Sequence, residues 1–248
     1  MVGMSKARME NRALPKRFYL EALAAPSGEG WAILLDGKPV KTPARQPLVV
    51  TSKPLADAIA EEWRAQKEFI DAEAMPLTRL ATILIDRAGA DREGWIDSIA
   101  AYAETDLVCY RAEEGSELAK MQHAAFEPVL AWIEQEHGLR FQATDQLMPI
   151  AQPAPSLSGM RTLFAQANDH ELVALAMLVP LLGSAVLGLA LWKGRLDTDQ
   201  AIRAARLDEA HNEARWGRDE EAARAWALKE KDIRASAFFP THASGKTA

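Results

Sequence analysis

The sequence predicts an α+β protein, with a small N-terminal, β-rich, antiparallel domain followed by a mostly α-helical C-terminal domain. Three observations carry that expectation. Asp36-Gly37 sits between Trp31–Leu35 and Lys38-Pro-Val-Lys41, a strong hairpin signal. After Ser52 the apolar residues change from strand spacing to helical spacing. From Leu172 to Trp192 no residue is charged, so this segment must be buried in protein or in lipid.

In chain order, Phe18 to Leu23 and Trp31 to Leu35 read as strands separated by a turn at Pro26-Ser27-Gly28. Pro39, Pro43 and Pro47 confine the succeeding strands to edges and short pieces, because proline cannot donate to a ladder. Pro47 to Thr51 is the next strand. Ser52 caps a helix with Pro54 near its first turn, carrying Leu55, Ile59, Glu62-Trp63 and Gln66. Leu77, Leu80, Ala81, Leu84 and Ile85 predict a second helix, ending near Gly89. Further helices are expected at 91–103, 116–137 and 156–167. A long charged one comes after them at 197–234, broken at Trp216-Gly217. Residues 139–143 could form a strand returning to the sheet. The expected organisation is a flexible N-terminus (1–16), a β-rich domain (17–75, rejoined by 139–153 if that strand forms), a helical domain (76–235) and a flexible tail (236–248).

The uncharged run is long enough to span a bilayer. Pro180 interrupts it, and Gly183-Ser184 reads as a stop followed by a new N-cap. Two buried helices, about 169–181 and 184–193, are therefore expected rather than a membrane insertion, with the span left open on length alone. Asp169-His170-Glu171 before the run and Lys193-Gly194-Arg195 after it suit helix ends.

Composition narrows function by exclusion. The 29 Lys+Arg against 35 Asp+Glu give a net charge of -6, which disfavours nucleic-acid binding through a basic field. Cys109 is the sole cysteine, so neither an internal disulfide nor a multi-thiolate zinc site can form. The N-terminus lacks the apolar core of a secretory signal, and the reducing interior of a cell is the expected compartment. Ser27-Gly28-Glu29-Gly30 is a turn and not a phosphate loop. His170-Glu171 lacks a second histidine four residues on, and His211-Asn212-Glu213 lacks the cysteine pair of a deaminase. Neither catalytic, cofactor-binding nor metal-ligating residues are expected. The tryptophans on the helices stand out. Trp63 and Trp216 serve either as core anchors, the first expectation, or as interface hot spots.

Leu35-Asp-Gly-Lys-Pro-Val-Lys-Thr-Pro-Ala-Arg45, Glu62-Trp-Arg-Ala-Gln66, Met75-Pro-Leu-Thr-Arg-Leu80 and Asp106-Leu-Val-Cys-Tyr-Arg111 occur in this order. Val186 to Leu191, Arg206-Leu-Asp-Glu209 and Trp216-Gly217 come next. Together these blocks resemble the alpha-subunit-specific assembly chaperones of F1 ATP synthase, a mitochondrial and alphaproteobacterial family, over about residues 17–234. Thr82-Ile83, Phe126-Glu127-Pro128 and Ala205 depart from the family pattern.

The resemblance implies a monomeric non-enzyme without cofactors. It would bind the free F1 alpha subunit and shield its beta-facing surface from aggregation, in the cytoplasm if bacterial and the mitochondrial matrix if eukaryotic. Asp208, Glu209, Trp216, Trp63, Arg79 and Asp106 lie in the matching blocks and are the candidate partner-binding residues. On the residues alone, an enzyme with an unfamiliar site and a membrane-tethered scaffold using 172–192 remain alternatives.

Overall fold

The computed structural model describes residues 14–146 and 148–243. Of the expected flexible segments 1–16 and 236–248, residues 1–13 and 244–248 lie outside the described residues. Four strands form one antiparallel sheet: β1 (Ala22–Ser27), β2 (Gly30–Leu35), β3 (Lys38–Pro39) and β4 (Val49–Val50). β2 is central, pairing with β1 on one side and with both β3 and β4 on the other. The Asp36-Gly37 hairpin is present, with φ of 47° and 77°. Two successive positive φ angles match a type I′ turn, whose twist suits the flanking strands. The Asp36 carboxylate also accepts the backbone N–H of Leu20 (3.0 Å) and Glu21 (2.8 Å).

The first strand begins later than expected. Phe18 and Leu20 are outside it, and the strand instead runs through Pro26 to Ser27. Pro26 is tolerated because β1 is an edge strand with a partner on one side only.

The helices are α1 (Lys53–Arg64), α2 (Pro76–Ala100), α3 (Glu117–His137), α4 (Ala154–Phe164), α5 (Asp169–Leu182), α6 (Ala185–Trp192), α7 (Thr198–Ala205), α8 (Leu207–Trp216) and α9 (Glu220–Ala243). Ser52 caps α1 and Ser116 caps α3. Gly89 does not end a helix: α2 continues through it to Ala100. A mid-helix glycine costs about 1 kcal/mol. Ala88 before it and Ile96 and Ile99 after it are all buried, so tertiary packing outweighs that cost. Residues 139–143 form no strand. Thr144 instead bridges Tyr110, away from the sheet. Leu107–Cys109, whose alternation resembles a strand, is a 3-10 turn. α9 passes the expected end at residue 234 and takes in 236–243. Phe239 and Ala243 are buried, and the Ser52 and Thr51 hydroxyls donate to the carbonyls of His242 and Ala243.

The uncharged run resolves into α5 and α6, with Gly183 (φ 66°) ending one and Ser184 capping the next through the Leu187 N–H at 2.9 Å. Pro180 lies within α5, whose end comes two residues later at Leu182. Among the described residues no helix is long and apolar enough to cross a membrane. The corner is tight at Gly188, where a Cβ would sit 2.6 Å from Val179 Cγ2. α5 packs between α2 and α9.

Two main clusters form the interior. One joins Ile33, Leu48 and Val50 of the sheet region to Leu55 and Ile59 of α1, Leu80 of α2, Val173 of α5 and Phe239 of α9. The other gathers Ile99, Phe126, Ile133, Met160, Phe164, Val179 and Leu187 around α5 and α6. α7 and α8 are separate helices broken at Arg206, a division additional to the expected one at Trp216-Gly217.

Candidate partner-binding site

α8 presents a surface with little tying it down. It has ten residues, none buried. One anchor is Arg206, whose Nη2 donates to both carboxylate oxygens of Glu213 (2.8 and 2.7 Å) while its guanidinium lies 5.3 Å from the Trp226 ring centroid on α9. A second anchor is Asp208. Its Oδ1 accepts from Gln122 Nε2 at 2.8 Å, and Gln122 Oε1 accepts the Ala112 N–H at 2.6 Å. Asp208 thus links α8 through α3 to the loop after Arg111, and it is only half-exposed. Sequence spacing pairs Asp208 with Glu209 as one patch. The structure turns Asp208 toward Gln122 and leaves Glu209 exposed.

Trp216 closes α8 and is 77% exposed, so it is a surface side chain and not the core anchor first expected. The Arg215 guanidinium lies 5.2 Å from its ring centroid. Glu209 and Trp216 are seven residues apart, nearly two turns, and share one helix face. Beside α8, a cleft of about 560 Å³ is lined by Glu113, Glu117, His211, Asn212 and Arg215. A larger hollow of about 720 Å³ continues beyond Ala112 toward Lys120, His123 and Asp145.

The other three candidates make contacts within the molecule, Trp63 and Arg79 from partly exposed positions. Trp63 is half-buried and packs with both the sheet–α1 cluster and a small cluster containing Tyr19 and Leu35. Tyr19 meets it edge-on at 5.7 Å and donates its hydroxyl to the Trp63 carbonyl at 2.6 Å. Arg79 of α2 pairs with Asp232 of α9 at 2.6 Å and donates to the carbonyls of Ala72 and Glu73.

Asp106 is fully buried. Its carboxylate accepts from the Ser184 hydroxyl (2.5 Å), the Val186 N–H (3.0 Å) and the Val108 N–H (3.2 Å), so it caps the start of α6 and the preceding 3-10 turn together. Burial pushes its carboxyl up to about 6, although these hydrogen bonds pull the other way. Cys109 beside it is buried, and desolvation, reinforced by the Asp106 charge, pushes its thiol up to about 12. Such a thiol stays protonated and is a poor nucleophile.

Sequence reasoning missed a second exposed feature. Phe18, Leu20 and Phe69 stand out from the N-terminal domain. Reading Phe18 to Leu23 as a strand hid them, although the even spacing of Phe18 and Leu20 was itself a sign that they share a side. Among the described residues no group of three or more His, Cys, Asp and Glu could hold a metal ion.

A small sheet is fused to a helical body in which Ser52, Ser184 and Asp106 are buried at helix starts, while Phe18 and Trp216 stand at the surface. Comparison with known proteins gives the class. The family model of the ATP12 chaperone protein matches residues 16–134. The solved Atp12 of Paracoccus denitrificans is 37% identical with a TM-score of 0.78, over 91% of this chain and 97% of that one. An aspartate-to-lysine mutant of the same P. denitrificans protein gives 36% identity and 0.77, over 91% and 96%. A chaperone candidate from Agrobacterium tumefaciens gives 38% and 0.82, over 92% and 86%. The chain belongs to the ATP12 chaperone family.

Proposed function

We propose that this protein is an assembly chaperone that binds the free alpha subunit of F1 ATP synthase and shields its beta-facing surface until beta takes its place. An unassembled subunit exposes an apolar interface, and exposed patches of that size aggregate. A protein that covers such a patch reversibly needs aromatic anchors inside a polar rim, without a catalytic pocket. The observation that carries the reading is α8: a helix with no buried residue that presents Trp216 on the same face as Glu209. Tryptophan is among the residues most enriched in interface hot spots, and a rim carboxylate steers encounter. Family membership over nearly the whole chain supports the same reading.

In this reading the protein works as a monomer, without cofactor or catalysis, in the cytoplasm of a bacterium or the matrix of a mitochondrion. The test is co-purification with separately expressed alpha and beta subunits, together with light scattering of alpha on dilution from denaturant. Stoichiometric protein is expected to retain alpha, not beta, and to hold its scattering down. Unchanged scattering of alpha would refute the proposal.

A further inference from the structure

The stretch 14–20 combines a fixed backbone with outward apolar side chains. The Arg17 guanidinium donates to the carbonyls of Tyr19 (3.0 Å), Leu20 (3.0 Å) and Gln66. Its backbone N–H donates to the Glu68 carbonyl (2.9 Å), and the Ile70 N–H donates to the Pro15 carbonyl (2.8 Å). Asp36 holds the backbone of Leu20 and Glu21. Tyr19 is buried beneath. On this frame Leu14 is 48%, Phe18 74% and Leu20 91% exposed, and Phe69, the antiparallel bridge partner of Lys16, is 41% exposed. Local folding has no use for such exposure. Fixing the backbone that carries them, and leaving only side-chain rotamers to settle, lowers the entropy lost on binding.

We infer that Leu14, Phe18, Leu20 and Phe69 form a second, preorganised docking surface for the apolar face of a transient protein partner. On the functional reading proposed for this chain, on which the assignment rests, that partner is the free alpha subunit. Area selects the occupant. Side chains of these sizes exposed to this degree offer about 500 Å² of apolar surface, the upper range for a monomer's largest patch. That suffices for the centre of a standard interface of about 800 Å² per partner, and two copies paired through it would bury about 1,000 Å² in total, short of the roughly 2,000 Å² or more of obligate homodimers. The charged rim of Lys16, Glu21, Lys67 and Glu68 is that of a reversible contact.

The experiment compares wild type, the double variant Phe18→Ser/Leu20→Ser and the conservative Phe18→Leu for affinity toward purified alpha subunit, with melting temperature and sedimentation alongside. The double variant is expected to keep its melting temperature and lose at least tenfold in affinity. Phe18→Leu should lose less than threefold. Wild-type affinity in the double variant, against a wild type that does bind alpha, would overturn this inference and leave the functional reading intact. A wild type that does not bind alpha would overturn that reading and the partner named here with it. A concentration-dependent wild-type dimer abolished by the double variant would reassign the surface to a second copy of the chain, against the proposal.

Discussion

The carboxylate of Glu62 on α1 caps α2 by accepting the backbone N–H of Thr78 at 2.8 Å and its hydroxyl at 2.7 Å, with the Leu77 N–H held at 2.8 Å by the other oxygen. Met75, at the head of α2, supplies no side-chain cap of its own. The first N–H groups of a helix need partners, and here another helix provides them. Burial raises the Glu62 carboxyl, opposed by the hydrogen bonds from Leu77 and Thr78 and by the Lys231 charge. Glu62→Ala orphans three partly buried donors, two backbone N–H groups and the Thr78 hydroxyl, and should cost about 2–3 kcal/mol, read by urea unfolding. A loss below about 0.5 kcal/mol would show that water caps α2 equally well.

Asp106 should give the protein a specific pH dependence. Its folded carboxyl lies at about 6, above the unfolded reference of 3.8, so the fold binds its proton more tightly than the unfolded chain does. The stability this provides is fully present below about pH 3.8 and is lost as pH rises through about 6. A carboxyl raised that far corresponds to about 3 kcal/mol. Asp106→Asn removes the titration. The stability of wild type minus that of Asp106→Asn should therefore fall by about 2–3 kcal/mol between about pH 3 and pH 7. A flat difference would mean that the buried carboxylate is compensated within the fold.

Trp63→Arg should destabilise. It removes the ring packed against Tyr19 and the two clusters and sets a guanidinium in a half-buried site. Losing a large packed aromatic costs about 3–5 kcal/mol when the site is fully buried, and somewhat less here. Low soluble yield and a lowered melting temperature are expected. An unchanged melting temperature with lost alpha binding would move Trp63 to the interface.

On α8 the two neighbouring carboxylates should respond differently to reversal. Glu209→Lys should leave stability within about 0.5 kcal/mol, because the side chain is exposed. Asp208→Lys removes the acceptor for Gln122 and should cost about 1 kcal/mol. If α8 meets a basic region of the alpha subunit, Glu209→Lys should slow association and flatten its salt dependence. Stopped-flow association at low and high salt separates the cases, and equal rates for the variant and wild type at both salts would leave Glu209 as solvated surface.

Gly188→Ala should test the α5–α6 corner. Its methyl would approach Val179 to 2.6 Å, and overpacking of that kind costs about 1–3 kcal/mol. A melting temperature at or above that of wild type would show slack at the corner.

The elements legible in the sequence were those with local causes. Asp36-Gly37 makes its turn because of its own backbone preference. Ser52 and Ser184 cap helices through the N–H three residues ahead, and Gly183 ends α5 in the left-handed conformation. Each of these signals acts within a few residues. The blocks that resemble the F1 assembly chaperones were likewise visible in one dimension.

Tertiary structure decided the rest. Gly89 reads as a stop, but α2 runs through it because buried residues on both sides outweigh a penalty of about 1 kcal/mol. Asp106 lies in a block shared with a chaperone family and reads as a partner contact. It turns inward because residues 184–186, far along the chain, supply donors that meet it only after folding. Asp208 and Glu209, adjacent in sequence, part company because Gln122 reaches only the first. Trp216 carries as much apolar surface as Trp63, and the difference between surface and interior came from Tyr19, which packs against Trp63, and from the absence of any buried residue on α8. Local backbone preference is written in neighbouring residues, whereas the direction a polar or aromatic side chain faces depends on which distant groups the fold brings to it.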